Sequence, residues 1–251
     1  MPNTIRTEAV VVKRDEMGES DRLITLLTRD QGKLRAVAPG ARRSRRRFGG
    51  CLELFARIDV AIADKGAGRL ARLEEAVLLQ PHHGISTDLV RIAQASYLTE
   101  LTCALLAERD QAPGSFRLLD RAFDELDEDV LPALELRAFE LGMLGQVGLR
   151  PLWDACLVCG ACRAPSWVFD HAQGGVVCDA CAGEQHLRCT ETLDQPALEL
   201  LRALSGGRST PLPRDPGAMP AARTLLAHII DSHTGRPLRS RAFLRGLATG
   251  S

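Results

Sequence analysis

Residues 156–181 read CLVCGACRAPSWVFDHAQGGVVCDAC and hold five of the chain's eight cysteines. Cys156-x2-Cys159, a gap of eighteen residues and Cys178-x2-Cys181 have the spacing of a four-thiolate zinc site. Each Cys-x2-Cys turn brings two sulfurs to one edge of a tetrahedron. Gly160 follows the second cysteine, where a tight knuckle often needs positive φ. Between the pairs, Trp167-Val168-Phe169 and Val176-Val177 flank Asp170 to Gly175 and read as strand, Gly-Gly turn, strand. So small a ribbon has little core and depends on a staple. Cys159-x2-Cys162, fifteen residues before Cys178, is also a permitted spacing. Gly160 favours Cys156 and Cys159 and leaves Cys162 spare. His171 lies inside the stretch and competes as a ligand, although four thiolates suffice. A redox motif comes as a single pair in a βαβ setting, and here two pairs sit in a hairpin setting. The expectation is one Zn2+ on Cys156, Cys159, Cys178 and Cys181. With four protein ligands it has no open position, so its role is structural.

Outward from this stretch, composition is that of a soluble globular chain, long enough at 251 residues for one large domain or two to three small ones. No apolar run approaches a membrane span, and MPNTIRTEAVVVKRDEMGES lacks the apolar core of a signal peptide. Cysteines at metal spacing, with Cys51, Cys103 and Cys189 isolated, fit a reducing cytoplasm. The net charge of zero is a cancellation: residues 1–80 carry +5, 81–213 carry −9 and 214–251 carry +4. Polyanion binding is therefore expected to be local.

The fold class expected is α+β. Residues 1–80 show short apolar or alternating runs at Ala9–Val12, Leu23–Leu27, Lys33–Ala38, Glu53–Ile62 and Leu70–Leu79. Gly18, Asp30-Gln31-Gly32, Pro39-Gly40 and Lys65-Gly66 punctuate them. Five short strands in this length suggest a small closed barrel of the OB type, with an SH3-like barrel as the alternative. Residues 81–251 read as a helical domain with the zinc ribbon inserted at about 152–187. Helices are predicted from Ser86 or Thr87 to about Glu108, Ser115–Glu128, Pro132–Val147, Leu193–Leu204, 221–233 and Arg236–Leu247. Ser205–Pro220 reads as a loop. Asp120, Asp124, Asp127 and Glu128 read as a solvated helix face, and His82-His83 as a surface connection between domains.

A second strong signal is KLRAVAPGARRSRRR at 33–47, with seven positive charges and no acid. Arg42, Arg43, Arg45, Arg46 and Arg47 follow Pro39-Gly40 and are expected on an exposed loop beside the barrel. Their mutual repulsion calls for an anionic partner. An OB barrel with a basic loop points to nucleic acid. Residues 1–80 offer only Phe48 and Phe55 as aromatics, so binding there is expected to be mostly electrostatic. A Walker A sequence, G-x-S-x-G, H-E-x-x-H and G-x-G-x-x-G are all absent, and no cluster reads as an active site.

The barrel of about eighty residues, GESDRLITLLTRDQGKLRAVAPGARRSRRR and the C-x2-CG…GG-x2-C-x2-C insertion, in this order, resemble the RecO family of bacterial DNA repair and recombination mediators. The resemblance spans essentially the whole chain and is most specific at Gly18–Phe48 and Cys156–Cys181. It implies an N-terminal OB fold and a helical domain. It also implies binding of single- and double-stranded DNA, annealing of complementary strands, and action with RecR and the single-stranded-DNA-binding protein in loading RecA at gaps. By resemblance Cys156, Cys159, Cys178 and Cys181 are zinc ligands, and Lys33, Arg35 and Arg42–Arg47 are DNA contacts. Arg236, Arg239, Arg241 and Arg245 form a possible secondary DNA contact. Arg91, Arg121 and Arg137 are among the candidates for an acidic partner tail. Two other readings stand beside a non-enzymatic mediator. One is a metal-dependent nuclease, which needs a carboxylate or histidine cluster. The other is a zinc-ribbon adaptor whose arginines bind an acidic protein.

Overall fold

The computed structural model describes residues 3–64, 66, 68–184, 191–206 and 215–248; the side chains of Asn3, Arg45, Arg46 and Ala248 lie outside that description. Lys65, Cys189, the expected ribbon end at 185–187 and half of the loop expected at Ser205–Pro220 also lie outside it.

Five strands, β1 (Asn3–Met17), β2 (Asp21–Thr28), β3 (Gly32–Ala38), β4 (Arg57–Asp64) and β5 (Ala71–Gln80), close a barrel in the order β1-β2-β3-β5-β4. Neighbours pair antiparallel except β3 with β5. A short helix, α1 (Arg45–Phe48), lies between β3 and β4. This is the OB arrangement expected. Alternation sends Ile24, Leu26, Leu34, Ala36, Ile58, Val60, Ile62 and Leu73 into the core, where they are fully buried. The run seen at Ala9–Val12 is the middle of a much longer strand, bulged between Val11 and Lys13 so that it bends through two neighbours. The strand expected from Glu53 starts later, at Arg57. Phe55 takes φ 71°, its amide donates to the Val11 carbonyl while the Val11 amide donates to the Ala56 carbonyl, and Leu54 is exposed.

Contacts group the described residues into two compact units, residues 1–131 with 238–251, and residues 132–237. In the first, α3 (Pro113–Glu128) packs on β1 and β2 of the barrel, and α2 (Leu89–Leu105) packs on α3 and on α8 (Arg239–Ala248). Asp88 caps α2 by accepting from the amides of Val90 and Arg91 at 2.8 and 2.9 Å. Pro113 stands in the first turn of α3, where its missing amide hydrogen is harmless, so Pro113-Gly114 opens that helix.

Of the four acids expected on a solvated face of α3, Glu128 is exposed and the other three are engaged. Asp120, Asp124 and Asp127 share one face, and that face meets the barrel and its exit. Asp120 accepts from Arg57 at 2.8 Å, Asp124 faces the His82 ring at 3.0 Å, and Asp127 accepts from the Gly84 amide at 2.6 Å. Burial pushes the Asp120 carboxyl up against the pull of Arg57. His82 is accordingly buried, between the Phe55 carbonyl at 2.8 Å and Asp124, and edge-on to Phe123. Only His83 of the pair is exposed. Gly84 lies so near α3 that a Cβ would sit 1.9 Å from the Asp127 carbonyl oxygen. Gly84→Ala is therefore expected to cost about 3 kcal/mol or more, because backbone must move. A urea titration showing less than about 1 kcal/mol would contradict this docking.

The second unit contains α4 (Ala133–Gln146), α6 (Gln195–Gly206) and α7 (Ala218–Thr234), packed on one another. With them is a three-stranded sheet of β6 (Ser166–Asp170), β7 (Gly175–Cys178) and β8 (Thr192–Asp194), in the order β7-β6-β8, and a short α5 (Asp179–Glu184). The expected hairpin is present, with Trp167 opposite Cys178, and β8 adds a third strand.

Candidate metal centre and nucleic-acid interface

β7 ends at Cys178 and passes directly into α5, which carries Cys181; the loop before β6 carries Cys156 and Cys159. The four sulfurs lie within 4.8 Å of one another. Cys159 and Cys178 are 3.7 Å apart, close to the edge of about 3.8 Å that a tetrahedron with Zn–S bonds of about 2.3 Å requires. Gly160 has φ 73° and its amide donates to the Cys156 carbonyl at 3.0 Å, which closes the first knuckle. Cys162 stays outside the group, exposed, with its sulfur toward the Gly160 carbonyl. The pair at Cys156 and Cys159 is thus the one brought to Cys178 and Cys181. His171 turns away to Glu191 at 3.1 Å.

The first knuckle is built for a negative sulfur at Cys156. Burial alone would raise the Cys156 thiol, but the amides around it, those of Cys178 and Val158 among them, pull it down to about 6. Cys181 moves the other way, pushed up by its hydrogen bonds to Cys178 and Cys159. Four sulfurs this close cannot all be thiolates without a cation among them. The soft, closed donor set fits one tetrahedral ion and offers no position for substrate. Arg202 of α6 braces the knuckle by donating to the carbonyls of Trp153, Asp154 and Cys162 at 2.7, 2.9 and 3.1 Å, and it lies over the Trp167 ring.

The basic segment joins β3 to β4. Asp21 accepts from the Gly40 amide at 2.8 Å and holds the turn that launches it. That bond, with the Ser20 hydroxyl and the charge of Arg72, keeps the Asp21 carboxyl below its ordinary range. The expected open loop is a turn followed by α1: Ser44 caps the helix, and Arg47 donates to the Pro39 carbonyl at 2.8 Å and lies over Phe48. Arg42 pairs with Glu16 at 3.5 Å. Arg43 and Arg35 are exposed and, among the described residues, have no ion-pair partner. Arg45 and Arg46 belong to α1, and their side chains are outside the description.

Two expected contacts face elsewhere. The Lys33 ammonium donates to the carbonyls of Cys103 and Leu106 at the end of α2, where helix carbonyls lack partners. Arg241 is buried with its guanidinium over Tyr97. Arg236, Arg239 and Arg245 are exposed. The candidates for an acidic tail are engaged as well: Arg91 with the Asp127 carbonyl, Arg121 with Glu125, and Arg137 in a buried pair with Glu140. Sequence alone did not single out Arg72. It stands on the outer face of β5 beside Val37, one step from Arg35. The alternation Ala71-Arg72-Leu73, with both apolar neighbours buried, carries the signal. Lys33→Met is expected to lower stability by about 1–2 kcal/mol with little effect on a polyanion, and Arg35→Ala the reverse. Parallel denaturant and binding titrations check this; equal loss of polyanion binding in both would contradict the division.

Among the described residues no helix is long and apolar enough to cross a membrane. Residues 1–82 match the sequence model described as Recombination protein O N terminal, and residues 86–242 match Recombination protein O C terminal. The chain is 40% identical over 239 residues to a DNA repair protein RecO of Myxococcus xanthus, covering 94% of this chain and 95% of that one. It is 37% identical over 249 residues to a DNA repair protein RecO of Anaeromyxobacter sp. (strain Fw109-5), covering 97% and 96%. It is also 37% identical over 245 residues to one of Geobacter sulfurreducens, covering 97% and 98%.

Proposed function

This chain belongs to the RecO family of DNA repair proteins, and from that premise we propose that it is a non-enzymatic recombination mediator of the bacterial cytoplasm. It binds single- and double-stranded DNA, anneals complementary strands and, with RecR and the single-stranded-DNA-binding protein, helps RecA load at gaps. The observation that carries this reading is the basic segment of the OB barrel. There Arg35 lies on β3, and Arg42, Arg43, Arg45, Arg46 and Arg47 follow in the turn and α1, with Arg35 and Arg43 free of ion pairs among the described residues. Cations near two strands neutralise their mutual repulsion and raise their local concentration, so annealing needs no catalytic group. The metal at Cys156, Cys159, Cys178 and Cys181 is proposed to be a single structural Zn2+ that braces the ribbon.

The reading is tested by binding to single-stranded DNA across a salt series. Neutralising about 5–7 phosphates gives a slope of log K against log salt of about −3.5 to −5. A slope near zero, or displacement of DNA by no more than a trace of an acidic protein, would favour the adaptor reading instead. Magnesium-dependent loss of the oligonucleotide would return the nuclease.

A further inference from the structure

The chain has ten aromatic residues of the Phe, Trp and Tyr types, and nine of them are buried. The tenth, Phe243, is 49% exposed on α8. Its surroundings are cationic: residues 236–248 contain Arg236, Arg239, Arg241 and Arg245 and no acid. Arg239 stands four residues before Phe243 and so shares its face, and it too is exposed. The opposite side of the helix is the packed one, with Leu238 buried and Arg241 laid over Tyr97. The exposure of Phe243 is not that of a frayed end. Glu100 of α2 accepts from the amides of Arg239 and Ser240 at 3.1 and 2.8 Å and fixes the start of α8.

α8 is also joined to the barrel's basic strand. Lys33 on β3 ties that strand to the carbonyls of Cys103 and Leu106, and Glu100 lies one helical turn earlier on α2. Along β3 the next residue on the outer face is Arg35. α2 thus links β3, which carries Arg35, to the start of α8, which carries Arg239.

We propose that the outer face of α8 is a second DNA contact selective for single strands, in which an unpaired base stacks on the Phe243 ring while Arg239 meets a neighbouring phosphate. It rests on the reading that the chain binds DNA and adds to it a site that the barrel cannot supply. Phe48 and Phe55 are both buried, so the barrel has charge but no stacking platform. Every base has a π-face, whereas a base within a duplex is already stacked and paired. The arginines select against an apolar protein helix, which would have to desolvate them, and for a polyanion that carries flat rings.

The test uses the full chain and fluorescence anisotropy at one low salt concentration, with three probes of about twenty nucleotides, longer than the about 4–16 that one OB fold covers. They are oligothymidylate, an abasic strand with the same phosphates, and a duplex. Phe243→Ala is expected to weaken oligothymidylate binding by about 5- to 100-fold and to change the other two by less than about two-fold. Phe243→Trp should retain binding, and Phe243→Leu should not. Equal loss on the abasic strand, or full binding by Phe243→Leu, would show that the ring packs and does not stack, and would overturn the proposal. Wild-type binding to all three probes that no Phe243 variant alters would also overturn it and leave the barrel reading intact. No binding by the wild type to any probe would remove both.

Discussion

Stripping the metal from the four-cysteine centre, or replacing Cys178 with Ser, is expected to lower the thermal midpoint of residues 132–237 by about 10 °C or more. DNA affinity should meanwhile change by less than about two-fold. The first half follows from how little else holds the ribbon. β6 and β7 are short, and the Cys178 sulfur is part of the junction between β7 and α5. Structural zinc contributes binding free energy of about 10–16 kcal/mol in isolated fingers, and that energy is folding energy. Here the brace of Arg202 and the burial of Trp167 and Phe169 share the burden, so the loss is a large shift in midpoint and not complete unfolding. The second half follows from where the arginines lie. Arg35 and Arg42–Arg47 belong to the barrel, which has its own core. Between Cys156 and Cys181 the only Lys or Arg is Arg163. Calorimetry with and without chelator, beside a binding titration, checks both halves. DNA affinity that collapses while the midpoint holds would make the ribbon a DNA-binding element.

Changing Arg42, Arg43, Arg45, Arg46 and Arg47 together to Ala should weaken binding to single-stranded DNA by about 100-fold or more at low salt. The salt slope should become shallower by about 0.7 for each phosphate that is no longer neutralised. The five do not contribute equally. Arg42 already pairs with Glu16, and Arg47 holds the Pro39 carbonyl, so each must give up a partner to reach a phosphate. Arg43 has no ion pair to give up among the described residues and should show the largest single effect of the three whose side chains are described. Stability should change by no more than about 1 kcal/mol, since Asp21 and Gly40 hold the turn beneath and Arg47 adds one bond, to the Pro39 carbonyl. An unchanged slope in the five-fold variant would move the DNA site elsewhere.

Much of this was legible in the sequence. Alternation between defined turns marked the barrel strands, because one face of each must be buried. Cysteine spacing marked the metal centre, because a tetrahedron restricts which sulfurs can meet. What stayed hidden was docking. Helical period placed Asp120, Asp124 and Asp127 on one face, but it does not say what a face meets, and this one meets Arg57, His82 and Gly84. The same limit hid the burial of His82, the tie of Lys33 to α2 and the inward turn of Arg241. A charged residue reads as solvated until its partner, distant in sequence, is in view: Lys33 and Leu106 are 73 positions apart. Strand ends were hidden for a related reason. The left-handed turn at Phe55 is set by the bonds that Phe55 and Ala56 make to Val11, and no local pattern announces it.

The most direct measurement is annealing of two complementary oligonucleotides by the purified chain, without ATP, over a salt series. The account predicts annealing that fades as salt rises and that the variant lacking Arg42, Arg43, Arg45, Arg46 and Arg47 loses. Annealing that persists undiminished in that variant, or is absent from the wild type, would contradict it.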